Sequence, residues 1–455
     1  MEDFSEEKGS DEKKKDGILP VIFWIFFVAT IAVLLILTAT LLSRNGTFDR
    51  WKAQYTAWKE EKEAIKRAET AGEKTVHYFG PSGIAEYESW LSGEWKNAIT
   101  EGLVEGEPEV TVQEEPDPLR EALTESPVNG SESWWKNAKK ITGDVTVYAQ
   151  AETPLYDAPN SAGTVYGHGK AGEAFRLMAV FKDGWYVVTD GRYYYCSEGS
   201  RYTMVELEAV EFEAVFANAE KKKVYHEVDL IWQEPELPHG CEVTGLAMML
   251  SYYGYQEDKC VLADKWLPKG AWGGTDFRKA FVGDPRKRVA SAGCYATVIA
   301  DMANRYLAEV TDSGTTGAEE KGTESAGKKA GGTSAGPEIR ETFSVKPNTG
   351  DTKKVPKAVA KEGVSFEELL SMVADRPVLA WMTMELKSPY IAQVWEVDGE
   401  ELYWQNCEHC VVLTGYDLEK GVFYGADPLY GNCEYDMKLF SIRFQTMYSQ
   451  VVVMQ

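Results

Sequence analysis

The sequence predicts an α+β protein, and three patterns in it carry that reading. After Cys241, the residues Leu246, Met249, Leu250 and Tyr253 recur at helical spacing and stop at Gly254, a natural C-terminal cap. Far downstream, Cys410–Tyr416 and Val422–Ala426 read as two strands joined by an Asp/Gly turn. Between 141 and 200, short β-branched and aromatic runs alternate with Gly, Asn and Asp clusters, as in a small all-β unit. A chain of 455 residues exceeds what one core accommodates, so two or three domains with connecting segments are expected.

Taken from the N-terminus, residues 17–43 read GILPVIFWIFFVATIAVLLILTATLLS, without a charge. At about 1.5 Å per residue this run is long enough to cross a hydrocarbon core of about 30 Å. A cleaved signal peptide has a shorter apolar stretch, roughly 7–15 residues. A retained transmembrane helix over 17–43 is therefore expected, with the tail 1–16 inside and all later domains extracytoplasmic. The orientation signal is slight, because Lys13, Lys14 and Lys15 precede the run while Arg44, Arg50 and Lys52 follow it. Residues 44–140 read as a helical and acidic stalk. Its first half holds helix formers with charges at helical spacing, and Trp51, Tyr55 and Trp58 fall on one face. Its second half, from Glu101 to Pro127, is acidic and Pro-bearing, a composition that cannot bury enough apolar area to order itself.

The formal charge of −24 argues against a nucleic-acid partner, which needs clustered Lys and Arg. It argues equally against peripheral attachment to anionic lipid, and reads as a solubilising surface.

In the β-rich region 141–208, Tyr156–Pro159, Gly172-Glu173, the strand Gly184-Trp185-Tyr186-Val187-Val188 and the triplet Tyr193-Tyr194-Tyr195 stand out. These pieces resemble the bacterial SH3-like domain. The resemblance implies an SH3-like β-barrel that binds cell-wall peptides or serves as a spacer. The Tyr triplet stands where that family has Gly-Trp-Val, which leaves both roles open.

Chemistry concentrates between 224 and 455. Cys241 follows Pro238-His239-Gly240 and sits on the first turn of a helix, where unpaired N–H groups and the macrodipole lower a thiol pKa. Alone, such a cysteine is more often a small buried hydrophobe. His409 opens the first strand of the downstream hairpin and Asp427 ends the second, which places the carboxylate beside the imidazole. Thiolate, base and orienting group are what a cysteine hydrolase needs. His239 lies two residues from Cys241, but would have to fold back on its own turn and has no orienting carboxylate.

The linked motifs extend this pattern. Glu236-Leu237-Pro238-x-Gly240-Cys241-Glu242-Val243-Thr244, Leu246-Ala247-Met248 and Tyr253-Gly254 come first. Gly293-Cys294-Tyr295, Ala303-Asn304-Arg305-Tyr306 and Arg376-Pro377-Val378-x-Ala380-Trp381 follow, then His409-x-Val411-Val412-Leu413-x-Gly415-Tyr416-Asp417 and Asp427-Pro428-x-x-Gly431. In this order and spacing they resemble the double-glycine (bacteriocin-processing) peptidase-like family, in its stand-alone branch. That resemblance implies a papain-like cysteine peptidase domain over 224–455, a helix packed on an antiparallel sheet, acting on a peptide or protein substrate. It implies Cys241 as nucleophile, His409 as base and Asp427 as orienting group. Gln233 would be the side-chain oxyanion donor beside the Cys241 N–H, although a Pro-containing stretch separates the two. Neither cofactor nor metal is implied.

The domain is interrupted over 311–357 by a Gly-, Ser-, Thr- and Lys-rich stretch read as a disordered surface insertion. Helical packing resumes at Phe366–Leu370, and Val378–Met384 reads as a core strand. Tyr390, Trp395 and Trp404 are candidates for a cleft wall. Cys407-Glu408-His409-Cys410 with Cys433 invites a zinc reading, but no second Cys-x-x-Cys exists and His409 already belongs to the stronger pattern. Outside a cell, Cys407 with Cys433, or Cys260 with Cys294, could pair as disulfides. The sequence thus predicts a membrane-anchored, extracytoplasmic cysteine peptidase. Its rivals are a non-catalytic cell-wall or peptide-binding protein and a muropeptide hydrolase or transpeptidase.

Overall fold

The computed structural model describes residues 76–80, 117–128, 133–312, 344–345 and 355–455, with Lys59 and Glu63. The tail 1–16, the apolar segment 17–43 and the aromatic residues Trp51, Tyr55 and Trp58 lie outside the described residues. Among the described residues, no helix is long and apolar enough to cross a membrane. The chain divides into a unit over 1–75 and another over 76–455. Within the first, Lys59 and Glu63 are helical and form an i,i+4 ion pair at 3.9 Å.

In the second unit, eight strands run from Lys139 to Thr203 in one sheet, every neighbouring pair antiparallel. Period-2 alternation buries Val147, Leu155, Phe175, Leu177, Tyr186, Val188 and Tyr195 in its core. The segment before this sheet departs from expectation. Asp117–Val128 is ordered against it, through polar docking rather than a core of its own. Arg120 reaches Glu173 at 2.8 Å and Asp190 at 2.7 Å, and the Asp117 carboxylate accepts the His168 N–H at 2.7 Å. A charged, Pro-bearing stretch orders when a preformed surface supplies its partners.

The remaining chain builds a larger sheet. Its strands, in chain order, are β1 (His77–Phe79), β2 (Lys223–His226), β3 (Ala358–Lys361) and β4 (Val378–Thr383). A separate hairpin, β5 (Ile391–Val397) and β6 (Glu400–Gln405), precedes β7 (Glu408–Asp417), β8 (Val422–Asp427), β9 (Gly431–Asp436) and β10 (Val451–Met454). Strands lie side by side in the order β1-β9-β8-β7-β4-β10-β3, and β2 pairs with the far end of β7. β1 was expected to be stalk. Instead Phe79 stacks on Tyr435, and His77–Phe79 extends the sheet edge parallel to β9. Ser344–Val345 of the insertion pairs with β2, and the rest of the insertion between 313 and 354 lies outside the described residues.

Helices cover both faces. α1 (Cys241–Tyr252) and α2 (Ala296–Asp312) lie on one side, with Leu246, Met249, Ile299, Leu379, Trp381 and Val412 in a shared core. α3 (Phe366–Asp375) and α4 (Met437–Thr446) lie on the other, with Leu369, Phe440, Val411, Leu413 and Tyr435. Ser365 caps α3 by accepting the Glu368 N–H at 3.1 Å, and Asp436 caps α4 through the Leu439 N–H at 2.9 Å. α1 is not the amphipathic helix its spacing suggests: every residue from Cys241 to Leu250 is buried, because sheet, α2 and neighbouring turns enclose it.

One glycine explains part of the downstream motif. At Gly415, where β2 takes over from β4 as the neighbour of β7, a Cβ would come 2.1 Å from the Val224 carbonyl oxygen. Backbone cannot yield as a side-chain tip does. Gly415→Ala should destabilise the fold by about 1–3 kcal/mol, the usual cost of overpacking. Urea denaturation measures it, and an unchanged midpoint would mean that β2 is not fixed against β7.

Candidate active site

The hairpin β7–β8 was expected to set Asp427 beside His409, and His409 Nε2 lies 2.9 Å from Asp427 Oδ2. That oxygen also accepts the Tyr435 hydroxyl at 2.7 Å, while Oδ1 accepts the N–H groups of Leu429 at 2.7 Å and Tyr430 at 3.0 Å. Burial opposes the charge, but His409, Tyr435 and Leu429 outweigh it and hold the Asp427 carboxyl below its usual range. With Nε2 committed to Asp427, Nδ1 is the ring nitrogen left for chemistry. Tyr430 stands edge-on to the imidazole at 6.3 Å.

Cys241 opens α1 behind Gly240, as its motif suggested. Its state differs from the expectation of a lowered pKa. Sγ donates a hydrogen bond to Glu242 Oε2 at 3.4 Å, and burial, then Glu242 and Glu408, push the thiol well above its usual range. The helix N-terminus favours thiolate, but here the sulfur is enclosed beside two carboxyls, and desolvation wins. No hydrogen bond joins Cys241 to His409. The alternation of β7 gives the reason: Cys410 and Val412 face the α1 layer, whereas Val411 and Leu413 face the α3–α4 layer. His409 falls in the second set and Glu408 in the first. His409 nonetheless lowers the pKa of Glu242 from across the strand, so the two sides of the strand end are electrostatically linked.

Gln233 connects the two parts. Its backbone N–H donates to Pro428 O at 2.9 Å, next to Asp427, and its own carbonyl accepts the Leu237 N–H at 2.9 Å and Lys259 Nζ at 3.1 Å. The side-chain amide folds onto its own loop, Nε2 donating to Pro238 O at 2.9 Å, while Oε1 is enclosed without a partner. It reaches the turn before Cys241, with one Nε2 hydrogen engaged there.

Sequence reasoning missed Glu242 and Glu408. Each directly adjoins a predicted catalytic residue, and a charge in the apolar face of α1 was the available signal. Burial raises Glu242 to about 7, against hydrogen bonds from its own N–H and from the Cys294 N–H. The latter is 2.8 Å from Oε1. Burial, then Glu242, also push Glu408 well above the usual carboxylate range, and its Oε1 is enclosed without a hydrogen-bond partner. Gly293 makes room for the pair: a Cβ there would lie 2.6 Å from Glu242 Oε1, 2.8 Å from Glu408 Oε2 and 3.1 Å from the Trp404 ring.

Donor atoms of Cys241, Glu242 and Glu408 come within 4.8 Å of one another, and the thiol proton lies between the first two. The Cys407–Cys410 run does not converge as a zinc site would, since Cys410 and Cys433 enter different cores. No disulfide joins any of the seven cysteines. His239 sits beside Arg288 and Glu234, where burial, then Arg288, lower its pKa. Of the cleft-wall candidates, Trp395 and Trp404 are buried with Phe277, at ring distances of 6.1 and 5.3 Å, and Tyr390 packs on Gly184 of the all-β region.

Removing the carboxylate from Asp427 strands His409 and the Tyr435 hydroxyl. Asp427→Ala should cost about 3–5 kcal/mol at pH 7, as loss of one partner of a buried charged pair does. Because the folded pKa is depressed, this contribution is complete above the unfolded value of about 3.9 and is lost as pH falls through the folded one. Urea titrations of wild type and variant should therefore converge in acid, and a pH-independent gap would contradict the assignment.

No curated protein matches the chain. A crystal structure of a Bacillus anthracis protein described as a C39-like peptidase matches with 26% identity and a TM-score of 0.38, covering 52% of this chain and 98% of that one. Over residues 225–330 and 333–452, which hold Cys241, His409, Asp427 and Gln233, the C-terminal part of this chain matches the Peptidase_C39 like family.

Proposed function

We propose that the protein is a cysteine peptidase with Cys241 as nucleophile and His409, oriented by Asp427, as acid–base group. The observation that carries this reading is the buried His409–Asp427 pair at 2.9 Å, one residue along the strand from the layer that receives Cys241. The family match supports peptidase chemistry in general. In the reaction, the Cys241 S–H bond breaks, its proton is taken up by His409 Nδ1, and Sγ attacks the peptide carbonyl carbon. The C–N bond then breaks as His409 Nδ1 delivers a proton to the leaving amine. Water gives a proton to His409 and its oxygen attacks the thioester carbon, after which the C–S bond breaks and the sulfur regains a proton. The Cys241 N–H, with Gln233 Nε2 once it turns from Pro238, would hold the oxyanion. The papain-like scaffold, the SH3-like assignment of 141–208 and extracytoplasmic anchoring through 17–43 belong to this reading, and rest on the sequence motifs and the uncharged run.

A second reading has one observation in its favour. Cys241 is held as a thiol by burial and Glu242, which suits a non-catalytic peptide-binding protein. Hydrolysis of a peptide library by the detergent-solubilised full chain separates the two. Cys241→Ala should reduce cleavage to background, and His409→Ala should lower kcat/KM by about 10²–10⁴-fold. Cleavage that persists in Cys241→Ala, or binding without cleavage in the wild type, would overturn the peptidase reading.

A further inference from the structure

The space around Glu242 is built rather than incidental. α1 supplies the Cys241 S–H, which points at Oε2. The loop before α2 supplies the Cys294 N–H to Oε1, and Trp381 Nε1 fixes that loop by donating to Cys294 O at 3.0 Å. β7 supplies Glu408, packed against the same glycine as Glu242, and β6 brings Trp404 to that glycine as well. The titratable groups facing Glu242 are therefore Cys241 on its own helix, Cys294 on the loop, and Glu408 and Cys410 on β7, with His409 acting electrostatically from the other side of that strand. Glu242 thus has Oε1 held by the Cys294 N–H and Oε2 directly on the thiol proton of Cys241.

Resting on the peptidase reading, we propose that Glu242 is a catalytic residue, the immediate proton acceptor of Cys241, with Glu408 as the second carboxyl of a proton-sharing pair. The Cys241 S–H bond breaks and an O–H bond forms on Glu242 Oε2, leaving a thiolate beside a neutral carboxyl. That O–H bond then breaks as the proton passes to His409 Nδ1 and on to the leaving amine, and the sulfur recovers a proton from His409 when the acyl-enzyme is hydrolysed. Desolvation that makes an isolated thiolate costly here makes an isolated Glu242 carboxylate costly too, so the two compete for one charge in one pocket. Moving the proton from sulfur to oxygen shifts that charge without creating a new one. Glu408 sets the balance, because a carboxyl beside Glu242 disfavours two adjacent charges. This arrangement also accounts for the hydrogen bond that Cys241 makes to Glu242 in place of His409.

The test is the rate of Cys241 alkylation by iodoacetamide on the full chain, read by mass spectrometry of the peptide carrying Cys241, from pH 5 to 10. The wild type should show a rise in rate centred near pH 7, where Glu242 titrates, ahead of ordinary thiol ionisation. Glu242→Gln keeps the shape and can still accept a hydrogen bond, but cannot take a proton. It should abolish the rise and slow both alkylation and peptide cleavage at pH 7 by about a hundredfold or more. Glu408→Gln should move the rise to lower pH. A wild-type profile with no rise below pH 9 overturns the proposal without any variant, and so does a Glu242→Gln profile that matches the wild type. Should wild type alkylate with the rise at pH 7 yet cleave no peptide, the peptidase reading fails and the proton transfer stands. Cleavage with an unchanged Glu242→Gln profile has the opposite meaning.

Discussion

Strand β7 separates two apolar layers, and its alternation decides which chemistry meets which layer. The register is fixed on one side by β4, with Thr383 opposite Glu408, Met382 opposite His409 and Trp381 opposite Cys410. A slip of one residue would exchange the faces, putting Glu408 and Cys410 among the residues that now hold Asp427. Trp381 and Met382 enter different cores, so such a slip would expose or overpack large side chains throughout the sheet. The register thus keeps the imidazole–carboxylate pair and the thiol–carboxyl cluster on adjoining positions but opposite sides of one strand end.

What surrounds that strand end is held from outside the larger sheet as well. The β5–β6 hairpin uses both faces. Ile391, Val394 and Tyr403 pack into the all-β core, while Trp395, Leu402 and Trp404 pack into the layer of α1. Polar ties accompany this split: the Ile391 N–H donates to the Tyr186 hydroxyl at 2.6 Å, and Glu401 accepts the N–H groups of Thr142 and Gly143 at 3.0 Å. Arg443 adds a buried cross-link, donating to Leu386 O at 2.9 Å, to Gln150 Oε1 at 3.0 Å and to Ser388 Oγ at 2.7 Å. Glu385 and Leu386 there adopt successive left-handed conformations, φ 55° and 56°, which non-glycine residues adopt at a cost. The all-β region is therefore part of the frame that positions Trp404 against Gly293, the glycine that also borders the carboxyl pair.

Much of this was legible in the chain. The helix at Cys241, the β7–β8 hairpin and the adjacency of His409 and Asp427 all follow from local spacing, where 3.6- and 2-residue periods are strong. Gly293 and Gly415 were visible as motif positions, but not the carboxyl pair and the carbonyl that require them, since those approach from distant segments. The ionisation state of Cys241 departs from the helix-terminus expectation for a related reason. A helix-terminus argument is local, whereas desolvation and the approach of Glu408 arise only after α1 docks on β7. Docking of Asp117–Val128 was hidden likewise, because its partners Glu173 and Asp190 lie more than fifty positions away.

On the proposed reading, these surroundings make Cys241, alone of seven buried or half-buried thiols, the reactive one. Peptide mapping after treatment of the full chain with a peptidyl chloromethyl ketone tests it directly. The account predicts a single adduct, on Cys241, whose formation is strongly slowed by His409→Ala. Adducts spread over other cysteines, or an unchanged rate without His409, would contradict it.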